Sequence, residues 1–428
     1  MNTDVLIIGS GVAGLYTALN IDEKTQVLII TKKEVNYCNS FLAQGGISVA
    51  QGEGDFKAFF EDTCEAGGKQ NNAEAVDILV KESRENVNLL MEFGVKFDKK
   101  NGELHYTREA AHRINRILHC QDRTGAMVHD SLYKKCLERN NIKFIENCPM
   151  EDLIIEDDKC FGILANRNGK QEAFLAKAVI MATGGIGGLF RSTTNKTAIQ
   201  GEGMEIALKY GITMKDMDKI QFHPTVLYEK GKQQRFLISE SVRGEGGILM
   251  NHKGERFVDE LLPRDKVTMA IYEELKHSGE EHVFLDMRHL DKEFIIKRFP
   301  GINEECLKRG IDITKDLIPV LPAQHYMMGG IAVDTSCKTS VKNLYAVGEV
   351  SCTGVHGNNR LASNSLLESL VFSRRAAMDI NENIDQKNNN SQWKENKKRT
   401  GISHKQNELL KETILSLRGD LEDELCNH

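Results

Sequence analysis

A glycine-rich turn near the start of the chain constrains it more than any other feature. Gly9-Ser10-Gly11-Val12-Ala13-Gly14 reads G-x-G-x-x-G. It lies between an apolar strand pattern, Asp4 to Ile8, and a helical pattern, Ala13 to Asn20; a second strand pattern, Gln26 to Thr31, follows. Strand, turn, helix and strand within about 30 residues make a β-α-β unit. In that setting Gly9 permits the tight turn, Gly11 lets the backbone approach a pyrophosphate, and Gly14 lets helix and strand pack closely. The helix N-terminus then faces the negative charge. The turn therefore predicts a dinucleotide site.

Which dinucleotide is less direct. An acidic residue is expected after the second strand, to hold a ribose hydroxyl. Thr31-Lys32-Lys33 stands there instead. The lysines suit a 2′-phosphate, as in NADP; a flavin dinucleotide, whose ribose is held differently, and plain solvated charge are the alternatives. Two later segments favour the flavin. Ala182-Thr183-Gly184-Gly185 ends one apolar strand and Leu344-Tyr345-Ala346-Val347-Gly348-Glu349 ends another. Each sets glycine where a strand meets a ligand, and Glu349 offers an acceptor for a ribitol hydroxyl.

The remaining pattern predicts how this unit is interrupted. Helices are expected over Ala73 to Phe93 and Thr124 to Arg139. Strands are expected over Lys143 to Glu146, Asp152 to Glu156, Phe161 to Asn166, Glu172 to Leu175 and Ala178 to Met181, with a hairpin turn at Asn168-Gly169. Residues from about 217 to 326 mix short strands and helices. A strand at Leu344 to Val347 and a helix from Asn364 to Asp379 return to the first pattern. From Asn381 the chain turns polar, with Asn388, Asn389 and Asn390 marking a linker, and Gln406 to Leu425 suits one closing helix. This order predicts a discontinuous α/β domain with a second domain inserted.

Composition removes other classes. Lys and Arg number 56 against 62 Asp and Glu, a formal net charge of −6, so nothing recommends nucleic acid or an anionic membrane as partner. No apolar run approaches the roughly 18–20 residues that span a bilayer. Met1 to Asp4 has no basic segment and the apolar run stops at Gly9, so no secretory signal is expected. The ten cysteines are scattered without a C-x-x-C pair, which fits reduced cytosolic thiols and provides no zinc or iron–sulfur spacing. No metal is expected.

A series of motifs then resembles one family. They are the opening turn, Asn39 to Gly46 (NSFLAQGG), Gln221 to Thr225 (QFHPT), Ser239 to Gly246 (SESVRGEG), Leu262 to Asp265 (LPRD), His325-Tyr326 with Gly329-Gly330, Gly348 to Val350, and His356 to Glu368 (HGNNRLASNSLLE). Over roughly residues 1 to 380 the chain resembles the fumarate reductase and succinate dehydrogenase flavoprotein superfamily, and within it the L-aspartate oxidases. The resemblance implies a Rossmann-like FAD-binding domain formed by residues 1–216 and 327–385. It also implies an α+β capping domain at 217–326, and a linker with a short helical segment at 386–428. It implies oxidation of L-aspartate to iminoaspartate at the start of NAD biosynthesis, electrons passing to fumarate or oxygen, in the cytoplasm, with quinolinate synthase as a pathway partner. A soluble fumarate reductase, or the flavoprotein subunit of a succinate dehydrogenase-like complex, is the alternative.

Two positions separate these branches. The respiratory members attach FAD through a histidine seven residues before the second glycine of A-x-G-G. Asn39 occupies that place, and an amide is no nucleophile, so non-covalent FAD is expected. Glu109 stands where the aspartate oxidases carry a glutamate for the substrate ammonium.

The resemblance assigns the remaining roles. Arg360, His223, His325 and Ser239 receive the two carboxylates, for which the planar fork of arginine is well suited. Arg264 carries a proton relayed by Glu240 and Arg243. FAD is held by residues 9–14, with Ser10, Gly11, Val12 and Ala13 at the pyrophosphate. Lys32 and Glu202 follow, and Asn39, Ser40, Phe41, Leu42, Ala43, Gln44, Gly45 and Gly46 surround the isoalloxazine. Glu349 comes next. Ser365 and Leu366 open the last helix, whose dipole suits negative charge on reduced flavin.

Overall fold

The computed structural model describes residues 1–386 and 407–426. Its centre is a parallel layer in which the strand Val27–Ile30 lies between Ile142–Ile145 and Asn2–Ile8. Asn2–Ile8 pairs in turn with Lys170–Met181, and that strand with Leu344–Ala346. Side chains alternate across this layer because a strand repeats every two residues. Val5, Ile7, Val27, Ile29, Ala178, Ile180 and Tyr345 face the cluster that holds the helices Val12–Asn20 and Asn364–Asn383. Leu6, Ile8, Leu28, Ile30, Val179, Met181 and Leu344 face the opposite cluster. Apolar residues on both faces explain why these strands read as continuous apolar runs. Each fully buried Leu or Ile contributes about 1.5–3 kcal/mol.

The two strands expected over residues 172–181 are one. Lys170–Met181 runs unbroken. Its first half pairs antiparallel with Lys159–Arg167, and its second half joins the parallel layer. The charge that interrupts the apolar pattern, Lys177, is paired with Asp4 at 2.9 Å. The hairpin turn takes left-handed backbone at both Asn168 (φ 54°) and Gly169 (φ 79°), as a two-residue turn requires.

In sequence, between Met181 and Leu344, the chain forms a separate four-stranded antiparallel sheet. Its order is Ile220–Leu227, Ile318–Met327, Val283–Asp286, Ile248–Met250. It has its own core, in which Val267 and Ile271 of the helix Arg264–Ser278 pack with Leu285, Phe299 and Val320. His223, Ser239, Glu240, Arg264 and His325 of this segment line the same cavity as the ends of the parallel strands.

The closing segment is not one helix. Glu408–Leu417 is helical, Arg418 leaves the helical region at φ −136°, and Gly419–Glu424 is a separate short turn of helix. The segment folds back on itself: Lys411 Nζ donates to the Cys426 carbonyl at 2.8 Å, a distance that a straight rod could not give, and Leu410, Ile414, Leu421 and Leu425 enter the second cluster. Asn388, Asn389 and Asn390 lie outside the described residues. The tail is therefore part of the core. Ile414, with no exposed surface, is expected to cost about 2–5 kcal/mol when replaced by alanine, read as a lower unfolding midpoint by circular dichroism.

Candidate active site

A cavity of about 850 Å³ lies over the C-terminal ends of the parallel strands, where Gly9, Thr31, Ala182 and Val347 mark four strand exits. Every residue proposed above lines it except four: Val12, Gly14, Phe41 and Arg243. The exceptions have physical reasons. A Cβ on Gly14 would stand 2.2 Å from the carbonyl oxygen of Gly9, so Gly14 serves the packing of helix on strand. The side chain of Val12 is buried in the core and its N–H donates to Ser40 Oγ at 3.2 Å. Phe41 stands edge-on to His129, ring centres 5.5 Å apart. Arg243 lies behind Glu240.

The glycine turn has the shape of a dinucleotide cradle. Gly9 has φ 115°, and a Cβ there would meet the Ala182 carbonyl oxygen at 2.2 Å. Gly11 caps the helix Val12–Asn20 with no side-chain hydrogen bond. A Cβ on it would meet only Ser40 Oγ at 3.2 Å and Cys38 Cβ at 3.9 Å. The helix thus presents free N–H groups to an open space, which suits a pyrophosphate. On the far side, Lys32 Nζ pairs with Glu202 and donates to the Ala198 carbonyl at 2.8 Å. Glu349 Oε1 accepts the N–H of Met327 at 2.9 Å, while burial pushes its carboxyl up to about 7. Asn39 Oδ1 accepts the N–H of Lys196 at 2.9 Å. The residues fit a non-covalent FAD: a pyrophosphate cradle, a carboxylate for hydroxyls, and the first turn of Asn364–Asn383 at one wall.

The substrate end collects charge from distant segments. Arg264 is held at Nε by Glu240 Oε2 (2.5 Å) and at Nη1 by Gln221 Oε1 (2.8 Å). Arg243 Nη2 lies 3.5 Å from the same Glu240 oxygen. Burial pushes the Glu240 carboxyl up, and Arg264, Arg243 and Arg360 outweigh it, leaving it below the usual range. Arg360 lies over the Tyr326 ring at 4.7 Å and donates to Ser365 Oγ at 3.1 Å. Burial and the neighbouring Arg264 lower its guanidinium to about 10.

The two histidines stand edge-to-face, ring centres 5.1 Å apart. Burial, with Arg264 close to both, holds them well below the ordinary histidine range, so both are neutral at pH 7. His223 Nδ1 accepts the N–H of Thr225 at 3.2 Å, which leaves the proton on Nε2. Nε2 of His223 and Nε of Arg360 are buried without a hydrogen-bond partner within the chain. Buried donors require acceptors, and here they offer themselves to an anion.

Several site residues were not assigned from sequence. Gln221 ties Arg264 to Asn359 (2.7 Å) and to the Arg360 carbonyl (3.0 Å). Thr194 Oγ1 is 2.8 Å from His325 Nδ1. Ser241 and Ser363 both bond Glu109. Gln221, Ser241 and Ser363 stand inside the quoted motifs, and motif membership was their one signal. Their roles depend on partners far away in sequence.

The fold and this cavity define a dinucleotide-binding flavoprotein with a separate antiparallel sheet whose segment lines one end of the cavity. The family model described as FAD binding domain matches residues 4–366. The chain is 52% identical to an L-aspartate oxidase of Clostridium perfringens over 99% of its own length and 96% of that protein's. It is 54% identical to an L-aspartate oxidase of Clostridium acetobutylicum, covering 90% of this chain and 89% of the relative. Among solved structures it matches an E. coli quinol fumarate reductase with a TM-score of 0.85 at 30% identity, over 99% of this chain and 74% of that one. The chain belongs to the FAD-binding flavoproteins of the fumarate reductase and succinate dehydrogenase type and, within them, to the L-aspartate oxidase family. Among the described residues no helix is long and apolar enough to cross a membrane.

Two outcomes follow. Gly11→Ala is expected to fold, keeping its far-ultraviolet circular dichroism, while flavin affinity falls at least about tenfold; Gly9→Ala, with its backbone collision, is expected to lose the fold. Glu349 is a carboxyl raised by burial to about 7. Its ionised form is disfavoured in the folded chain, so this cost is absent below its unfolded value and grows as pH rises through about 7. Flavin-free protein should lose thermal stability between pH 5 and 8, and Glu349→Gln should flatten that loss.

Proposed function

We propose that this chain catalyses FAD-dependent oxidation of L-aspartate to iminoaspartate, the first step of de novo NAD biosynthesis, with the electrons passed to fumarate or oxygen. The observation that carries the reading is the placement of Glu109. A buried carboxylate shares one cavity with Arg360, Arg264, His223 and His325. That set matches a substrate with two carboxylates and one ammonium.

Arg360 and the neutral histidines bind and orient the carboxylates. Ser239, with its N–H on Gln44 Oε1 at 3.2 Å, stands beside the flavin-side loop with its own hydroxyl proton on Ser241 Oγ at 3.2 Å. Glu109 receives the ammonium. When bound, FAD supplies the two-electron acceptor that takes hydride from the substrate α-carbon. The proton released at nitrogen needs a buried route, and Arg264, hydrogen-bonded to Glu240, with Arg243 in ion-pair range of the same carboxylate at 3.5 Å, provides a line of charged groups for it. The pairing to Glu240 and Gln221 also keeps the Arg264 plane from turning. Residues 217–326 act as the cap that excludes water from this end. The iminoaspartate is passed on to quinolinate synthase, in the cytoplasm.

Anaerobic titration of L-aspartate into the flavin-loaded protein is expected to bleach the flavin absorbance band. No bleaching with aspartate, alongside turnover of succinate or fumarate, would overturn the reading in favour of a fumarate reductase. Glu109→Gln should lower kcat/KM for aspartate about 100-fold or more, because it leaves the ammonium without its counter-charge. The loss should exceed that for fumarate reduction measured on the same preparation.

A further inference from the structure

The oxygens of Glu109 are gripped from two sides. Ser241 Oγ donates to Oε1 at 2.8 Å, and Ser363 Oγ donates to Oε2. The two serines come from different parts of the fold. Ser241 is in the short helix Glu240–Gly244, beside the proton-relay residues, and Ser363 precedes the helix Asn364–Asn383 on the flavin side. Third, Gly45 closes on the same carboxylate, since a Cβ there would lie 2.6 Å from Oε1. Glu109 itself is 3% exposed.

The direction of both hydroxyl protons is set from behind. Gly46 N–H donates to Ser363 Oγ at 3.2 Å. Ser239 Oγ donates to Ser241 Oγ at 3.2 Å. A serine hydroxyl has one proton to give. With its lone pairs already receiving a donor, each serine directs that proton at Glu109. Ser363 also holds φ 62°, a left-handed conformation that costs a non-glycine residue energy and that persists where surroundings demand it.

We infer that Ser241 and Ser363 set the preference for an amino-dicarboxylate by fixing the Glu109 carboxylate in the orientation that receives the substrate ammonium. They act as positioning residues, and the inference rests on the reading of Glu109 as the ammonium receptor. A dicarboxylate lacking the amine makes no use of Glu109, so its binding should be indifferent to both serines. Because one serine comes from the capping side and one from the flavin side, recognition of the amine is completed only when both sides are seated.

The test compares L-aspartate with succinate, a dicarboxylate of the same length without the amine, on the flavin-loaded protein. KM for aspartate and the spectroscopic dissociation constant for succinate are measured for Ser241→Ala, Ser363→Ala and the conservative Ser241→Thr. Each alanine variant should raise KM for aspartate about tenfold, the weight of one hydrogen bond to a charged group. Succinate affinity should change less than twofold, and Ser241→Thr, which keeps the hydroxyl, should restore aspartate. In a Glu109→Gln background the serine substitutions should add nothing further. Equal weakening of aspartate and succinate, or a serine effect that persists in Glu109→Gln, would overturn the inference. If Ser363→Ala does not fold, Ser241→Ala and Ser241→Thr decide the matter. If Glu109→Gln alone leaves the aspartate-to-succinate preference unchanged, the ammonium reading fails as well. If it abolishes the preference while the serine variants keep it, only the present inference fails.

Discussion

The site depends on one backbone contact. At Gly9 the chain leaves the first strand with φ 115°, so close to the next strand that a Cβ would lie 2.2 Å from the Ala182 carbonyl oxygen. Gly14 then packs back on Gly9 with no more room. These two contacts fix the opening helix against the sheet and aim its N-terminus along the strand exits. Thr31, Ala182 and Val347 open onto the same space because the strands that carry them run parallel. With strands in register, the cavity needs no special scaffold of its own.

Above the cradle the governing problem is electrostatic. Arg243, Arg264 and Arg360 are all nearly or fully buried, and burying cations is costly without counter-charge. Glu240 offsets part of this, held below the usual carboxylate range by the arginines around it. The imbalance that remains is what a dicarboxylate neutralises. Burial first, and the neighbouring arginines after it, keep His223 and His325 uncharged, so they add no further cations. Glu109 is a second carboxylate here, and its two serine partners hold it in place rather than leaving it to pair with an arginine as Glu240 does.

Much of this was legible in the sequence. The glycine turn and the apolar strands follow from periodicity and spacing, because local steric rules act within a few residues. The errors fell where local pattern and tertiary packing diverge. Lys177 reads as a break in a strand, yet Asp4 pairs with it and the strand Lys170–Met181 continues. Gln406 to Leu425 reads as one helix, yet the chain breaks at Arg418 and turns back, so that Lys411 reaches the Cys426 carbonyl at 2.8 Å.

By itself, the sequence determined which groups could meet: a dinucleotide turn, an asparagine where a covalent attachment would need a histidine, and arginines, histidines and glutamates in motifs of recognisable order. Only the tertiary structure decided their geometry. Ser363 reaches Glu109 across 254 positions of chain, and Ser241 reaches it across 132. No local rule connects residues that far apart, because their distance is set by how the capping sheet and the parallel layer stack. Neither the polarity of the serine protons nor the tautomer of His223 is written in residue types. Both follow from which backbone N–H or hydroxyl stands behind each group once the chain has folded.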